Sequence, residues 1–245
     1  MSPTQPHSPD EPVGLSGGKL RLDLQQTLEN CIVIDIETTG LRPQDERIIE
    51  IAALRICNGE LKDQFTTLLN PRRSVPQEIT DLTGISDGLL ADQPSFADIL
   101  RDLLAFLRES PGAAPASAPA SASSSAPSLG TPGLTDAPRL VGHNVSFDFS
   151  FLQHEILRAQ LGDVTETSQS YVTEKAVPAD PASLPYTPRL VCTAEASRAL
   201  IPRESVGRYR LGNVASYLKV PHRPLHRAMS DALATYDVLR ALSAQ

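Results

Sequence analysis

The sequence predicts an α/β fold, a mixed sheet flanked by helices, and three observations carry that expectation. Apolar residues alternate through residues 31–69, with one tight-turn signal inside the stretch. From Phe96 onward they recur at helical spacing. After the mid-chain Ala/Pro/Ser run, a short strand leads straight into a helix.

Residues 1–18 are rich in Ser, Pro and Gly and carry neither a basic n-region nor an apolar h-region, so they read as a disordered arm without a secretion signal. The ordered domain is expected over residues 19–245. Residues 31–37 make a first strand, and 47–57 a second in which Ile48, Glu50, Ala52 and Leu54 alternate with their neighbours. Asn58 and Gly59 supply the positive φ of a hairpin turn, and 61–69 return as a third strand, completing an antiparallel meander. The stretch "PSFADILRDLLAFLRES" sets Phe96, Ile99, Leu100, Leu103, Leu104 and Leu107 on one helical face, with Ser95 as its cap. A low-complexity insertion follows at about 109–137, containing "PGAAPASAPASASSSAPS", whose Ala, Pro and Ser can neither bury a core nor hold a helix through the prolines. Next come the strand "RLVGH" and a helix from about Phe147 to Ala159, then a long loop at about 163–188. Two further helices are expected at "GNVASYLK" and "SDALATYDVLRALSA", the last with Met229, Ala232, Leu233, Tyr236, Leu239 and Leu242 on one face.

An apolar content of 40% marks a globular chain. The three cysteines, Cys31, Cys57 and Cys192, form no CxxC pair and read as reduced residues, which predicts a cytoplasmic protein. No run is long enough for a membrane span. The formal net charge of −7 argues against a protein that coats nucleic acid along its length, but not against one that grips a strand end.

Within "IVIDIETTGL" two carboxylates sit where a buried strand should carry none. Asp35 and Glu37 project to one side about 7 Å apart, while Ile32, Ile34 and Ile36 fill the other. A divalent cation would offset their repulsion and desolvation. The competing interpretation has one acid capping the "TTG" loop and the other pairing with Arg42 or Arg47. A further acid, Asp148, falls in the first turn of the helix launched from "RLVGH", where the helix dipole favours a carboxylate, or is simply a dipole-complementing surface residue. Asp231 lies on the face opposite the apolar stripe of the last helix, with His226 just before that helix. His226 could act on a water held by the acid's metal, or be an ordinary solvated side chain. His7, His154 and His222 read as ordinary solvated side chains.

Together these motifs resemble the DEDD 3′ to 5′ exonucleases, in the His-containing branch that includes the epsilon proofreading subunit of bacterial DNA polymerase III. The resemblance runs from about Cys31 to Leu242 through "IVIDIETTGL", "LLNPRRSVPQEITDLTGISDGLLADQPSFADIL", "LVGHNVSFDFSFL" and "LHRAMSDALATYDVL". It implies a ribonuclease H-like mixed five-stranded sheet flanked by helices. It also makes Asp35, Glu37, Asp148 and Asp231 the four acids of the metal site and His226 the general base. By the same alignment Thr38, Thr39, Leu82, Thr83, Asn144 and Phe147 lie near the terminal nucleotides. Thr83 stands where the proofreading subunit usually has a His.

The chemistry expected of such a site is phosphodiester hydrolysis. Two divalent ions about 4 Å apart activate the water and neutralise the phosphoryl and leaving oxygens. Oxygen ligands suit Mg²⁺ or Mn²⁺, and an imidazole with its ordinary pKa of about 6.5 suits deprotonation of the water. The expected substrate is a DNA 3′ end, losing nucleoside 5′-monophosphates in proofreading or repair. RNA ends and short oligoribonucleotides are the alternative, and "DIETTG" favours the DNA branch over the "DLEMTG" type. A non-catalytic module on a polymerase is disfavoured because all four acids and the His are present. Arg203, Arg208, Arg210, Lys219, Arg223 and Arg227 against the single acid Glu204 either steer a phosphate backbone or form a solvated face. The chain ends shortly after its last helix, without a tail of the kind that tethers the proofreading subunit, so a stand-alone or loosely polymerase-associated enzyme is expected.

Overall fold

The strand expected at 31–37 runs from Asn30 to Thr38 (β1) and becomes the middle strand of a five-stranded sheet. The computed structural model describes residues 17–108, 137–161 and 187–245. The insertion at about 109–137, nearly all of the arm at 1–18 and of the loop at 163–188, and His7 lie outside them.

Strands β2 (Ile48–Cys57) and β3 (Glu60–Leu68) complete the expected antiparallel meander, with Asn58 at φ 52° and Gly59 at φ 75° making the turn. β2 is buried throughout, whereas β3 is an exposed edge whose Lys62 and Asp63 discourage pairing with another chain. On the other side of β1 run two short parallel strands, β4 (Arg139–Gly142) and β5 (Leu190–Cys192). The order β3-β2-β1-β4-β5 is therefore a mixed sheet, as expected.

Helices cover both faces. Cys31 and Val33 of β1 join Ala52, Leu54 and Ile56 of β2 in a core closed by α1 (Gly17–Glu29), α6 (Thr193–Leu200), α7 (Arg203–Val206), α8 (Leu211–Leu218) and α9 (Ala228–Ser243). Ile32, Ile34 and Ile36 face the opposite core under α4 (Phe96–Arg108) and α5 (Val145–Leu161). The alternation of β1 thus sends Asp35 and Glu37 toward the α9 side. Two short helices, α2 (Gln77–Thr83) and α3 (Asp87–Leu90), follow β3 and pack Ile79 and Leu90 into a small core with Ile49 of β2.

Three local expectations change. Helix α1 begins at Gly17, inside the stretch read as an arm. Its Leu20, Leu24 and Leu28 carry a helical spacing, but "KLRLDL" also alternates like a strand, and only packing into the α9 core decides between the two. The cap of α4 is inverted: the Ser95 hydroxyl donates to Asp98 Oδ2 at 2.6 Å, and that carboxylate also accepts the Ser95 backbone N–H at 2.8 Å. Helix α9 is buried over most of its circumference, so Asp231 does not lie on a solvated face.

Candidate active site

The carboxylates of Asp35, Glu37 and Asp231 converge at the carboxyl end of β1. Among the described residues they form a group whose ligand oxygens all lie within 4.8 Å of one another. Asp35 and Glu37 are half-buried and Asp231 is buried. Asp148 arrives from the first turn of α5 and is also buried. It stands outside that tight group, yet close enough that its charge raises the Asp35 pKa.

The electrostatics are those of a site short of positive charge. Burial, then the charges of Asp148, Asp231, Glu37 and Glu50, push the Asp35 pKa well above the usual carboxylate range. Glu37 is pushed up to about 8 by burial and by Asp231 and Glu50, with Arg227 pulling the other way. Burial raises Asp148 to about 8 against the pull of backbone hydrogen bonds at Asp148 itself and at Ile36. A hard divalent cation fits this donor set, because oxygen ligands that resist ionisation in isolation are stabilised by the ion's charge.

The two helices that bring acids to β1 start differently. α5 follows β4 almost without a break: Asn144 turns the chain at φ 80°, and a Cβ on Gly142 would meet the Cα and Cβ of Val145 at 3.1 Å. α9 follows an exposed loop in which His226 sits at φ 53°. That loop is tied to the site by the Leu225 N–H, which donates to Asp231 Oδ1 at 2.8 Å and to the Ser230 hydroxyl at 3.2 Å. His226 itself is exposed, one residue before the helix cap Arg227.

Sequence reasoning missed the role of Glu50. It is the cross-strand partner of Glu37 and is buried. It accepts Arg227 Nη2 at 2.8 Å, Arg227 Nε at 3.0 and 3.2 Å, and the Ala228 N–H at 2.9 Å. The signal was present, since "RIIEIAAL" places a carboxylate in an apolar strand just as "IVIDIE" does. Neither Arg42 nor Arg47 pairs with the site acids: Arg42 bonds Asp45 at 2.9 Å, and Arg47 donates to the carbonyls of Asp45 and Glu46. His143 was likewise overlooked. Its Nε2 donates to the Tyr209 carbonyl and its Nδ1 meets the Thr193 hydroxyl, each at 2.9 Å, pinning the end of β4 to α6.

The expected substrate contacts divide into two groups. Leu82 is 51% exposed, Asn144 is exposed and Phe147 is half-buried against Phe151, so all three offer surface. The hydroxyls of Thr38, Thr39 and Thr83 are committed inside the fold. Thr38 donates to the Gly40 carbonyl at 2.6 Å, Thr39 to Glu46 at 2.6 Å, and Thr83 to the Ile79 carbonyl at 2.8 Å while accepting the Ile85 N–H. In the basic stretch, Arg203, Arg208 and Arg210 are exposed, whereas Arg227 is held by Glu50.

Comparison with known proteins agrees with this arrangement. Residues 32–116 and 134–239 match the RNase_T exonuclease family. The chain belongs to this exonuclease family. Among its relatives, the DNA polymerase III PolC-type of Oceanobacillus iheyensis is 30% identical over 84% of this chain. The 3′-5′ exonuclease DinG of Bacillus subtilis is 28% identical over 84% of it. The chain spans only 11% and 17% of the lengths of those two proteins. The fold is shared with E. coli exonuclease I in a single-stranded DNA complex, with a TM-score of 0.62 and 16% identity, covering 88% of this chain and 40% of that one. It is shared as well with exonuclease X in complex with 5′-overhanging duplex DNA, at a TM-score of 0.52 and 20% identity, covering 88% and 92% of the two chains. No helix among the described residues is long and apolar enough to cross a membrane.

Proposed function

We propose that this chain removes nucleoside 5′-monophosphates from the 3′ ends of DNA, using two Mg²⁺ or Mn²⁺ ions. The observation that carries the proposal is the convergence of the Asp35, Glu37 and Asp231 oxygens within 4.8 Å at the end of β1, beside Asp148. Family membership supports hydrolysis of a nucleic acid from its end. The names of the relatives and the DNA held by the exonuclease I and X structures support DNA as the substrate.

Asp35, Glu37, Asp148 and Asp231 would hold the ions. When bound, such ions supply charge neutralisation at the phosphoryl and leaving oxygens and an acidified water. The residues of the chain do the rest. His226, exposed on the loop fastened to Asp231, takes the proton of the attacking water. Leu82, Asn144 and Phe147 present the surface against which the terminal nucleotides are placed.

The test is degradation of 5′-labelled single-stranded DNA, mismatched duplex DNA and RNA of matched sequence, with Mg²⁺ and with chelator. Stepwise shortening from the 3′ end, abolished by chelator and fastest on DNA, is expected. Internal cleavage, or activity that survives the chelator, would overturn the proposal, and faster shortening of RNA would replace its substrate.

A further inference from the structure

We infer that Glu50 is a positioning residue of the acid site: its carboxylate holds the Arg227 guanidinium away from Glu37 and fixes the start of α9, leaving Glu37 and Asp231 open to metal. The inference rests on the metal-dependent reading above and adds a residue to it.

Glu37 and Glu50 face each other across β1 and β2 on the side covered by α9, within the short cross-strand separation of an antiparallel pair. Two adjacent carboxylates compete for any cation between them, and Arg227 is that cation. It has settled on Glu50, where the guanidinium makes a fork to both oxygens, the strong geometry for an arginine and a carboxylate. Were Arg227 to turn to Glu37 instead, a fixed positive charge would occupy an oxygen that a divalent ion needs.

The same carboxylate also determines the direction of α9. Glu50 Oε2 accepts the N–H of Ala228, the first residue of the helix, one of the donors that a helix start leaves unpaired. The N-cap Arg227 makes no side-chain cap of its own, so this bond from the neighbouring strand takes that place. The Asp231 N–H then donates to the Arg227 carbonyl at 3.0 Å, closing the turn that aims Asp231 at β1. One buried side chain thus sets where Asp231 points, where the His226 loop leaves the helix, and which carboxylate carries the arginine. Outer partners that orient ligands in this way typically change metal affinity by about 10- to 100-fold when removed.

Glu50→Gln separates the charge from the shape, because the amide oxygen can still accept the Ala228 N–H while the ion pair is lost. Mn²⁺ binding by isothermal titration of the full chain, without nucleic acid, is the readout. Glu50→Gln is expected to weaken Mn²⁺ by about 10-fold, as Arg227 moves to Glu37. Adding Arg227→Gln is expected to restore most of the affinity by removing the competitor. Arg227→Gln alone, at a half-exposed side chain, is expected to bind Mn²⁺ at least as tightly as the parent and keeps the test open should Glu50→Gln unfold. Parental affinity in Glu50→Gln, no recovery in the double variant, or weaker binding in Arg227→Gln would each overturn the inference. Absence of 3′-end degradation by the parent, with the Mn²⁺ pattern as expected, would instead overturn the functional proposal alone.

Discussion

Helices α5 and α9 perform one task by different means. Each delivers an acid from its first turn to the end of β1, Asp148 from α5 and Asp231 from α9. α5 is aimed by chain continuity: strand β4, a left-handed Asn144 and a glycine pressed against Val145 leave its start little freedom. α9 is aimed by side chains from elsewhere, since it follows an exposed loop and is fastened to β2 through Glu50. The contrast teaches that Asp148 is placed by backbone geometry, whereas the start of the helix that carries Asp231 is fastened by side-chain bonds to a neighbouring strand. A loop held in this way can move with substrate, which suits an element proposed to carry the proton acceptor.

The largest effect is expected where both helices converge. Asp35→Ala should lower turnover by about 10³-fold, because bound metal contributes several kcal/mol of charge stabilisation. Retention of activity on labelled DNA would show that the two helices do not serve a common centre. His226→Ala should lower turnover by about 10²-fold while Mn²⁺ affinity stays at the parental value. A parallel loss of metal binding would mean that the α9 loop holds the ion rather than the water.

A third expectation concerns pH in the absence of metal. Glu37 and Asp148 are raised to about 8 in the fold, so the native chain keeps protons that the unfolded chain releases above about pH 4 to 4.5. Stability is then greatest below that range and declines as pH rises toward 8. Melting temperatures of chelated protein should fall between pH 5 and pH 8, and saturating Mg²⁺ should flatten the decline. A flat curve in chelator would show the acids to be apart in solution.

The remaining substitutions compare the two helix starts directly. Gly142→Ala crowds the backbone of Val145 and should destabilise by about 1 to 3 kcal/mol, lowering the melting point by about 2 to 4 °C per kcal/mol. Leu225→Ala, in the α9 loop and 67% exposed, should stay within about 0.5 kcal/mol of the parent. Equal losses in the two would erase the distinction between a rigid and a tethered start.

The meander, the Asn58–Gly59 turn and the shared face of Asp35 and Glu37 were legible from the sequence because strand periodicity and turn chemistry are local. The fold brings Asp148 and Asp231, the two acids named by the resemblance, to the end of β1. Tertiary packing decided what local pattern left ambiguous. Helix α1 formed where "KLRLDL" could equally alternate as a strand, and β5 is too short at Leu190–Cys192 to show a period. Thr38, Thr39 and Thr83 fit a list of substrate contacts until their hydroxyls find internal acceptors. The Glu50–Arg227 pair joins positions 177 residues apart, and no pattern within either segment announces the other. The sequence by itself therefore determined which residue types stand at the end of β1. Only the tertiary structure decided which of the adjacent carboxylates holds the arginine and which remains open, because that choice depends on distances between charges that the chain brings together only on folding.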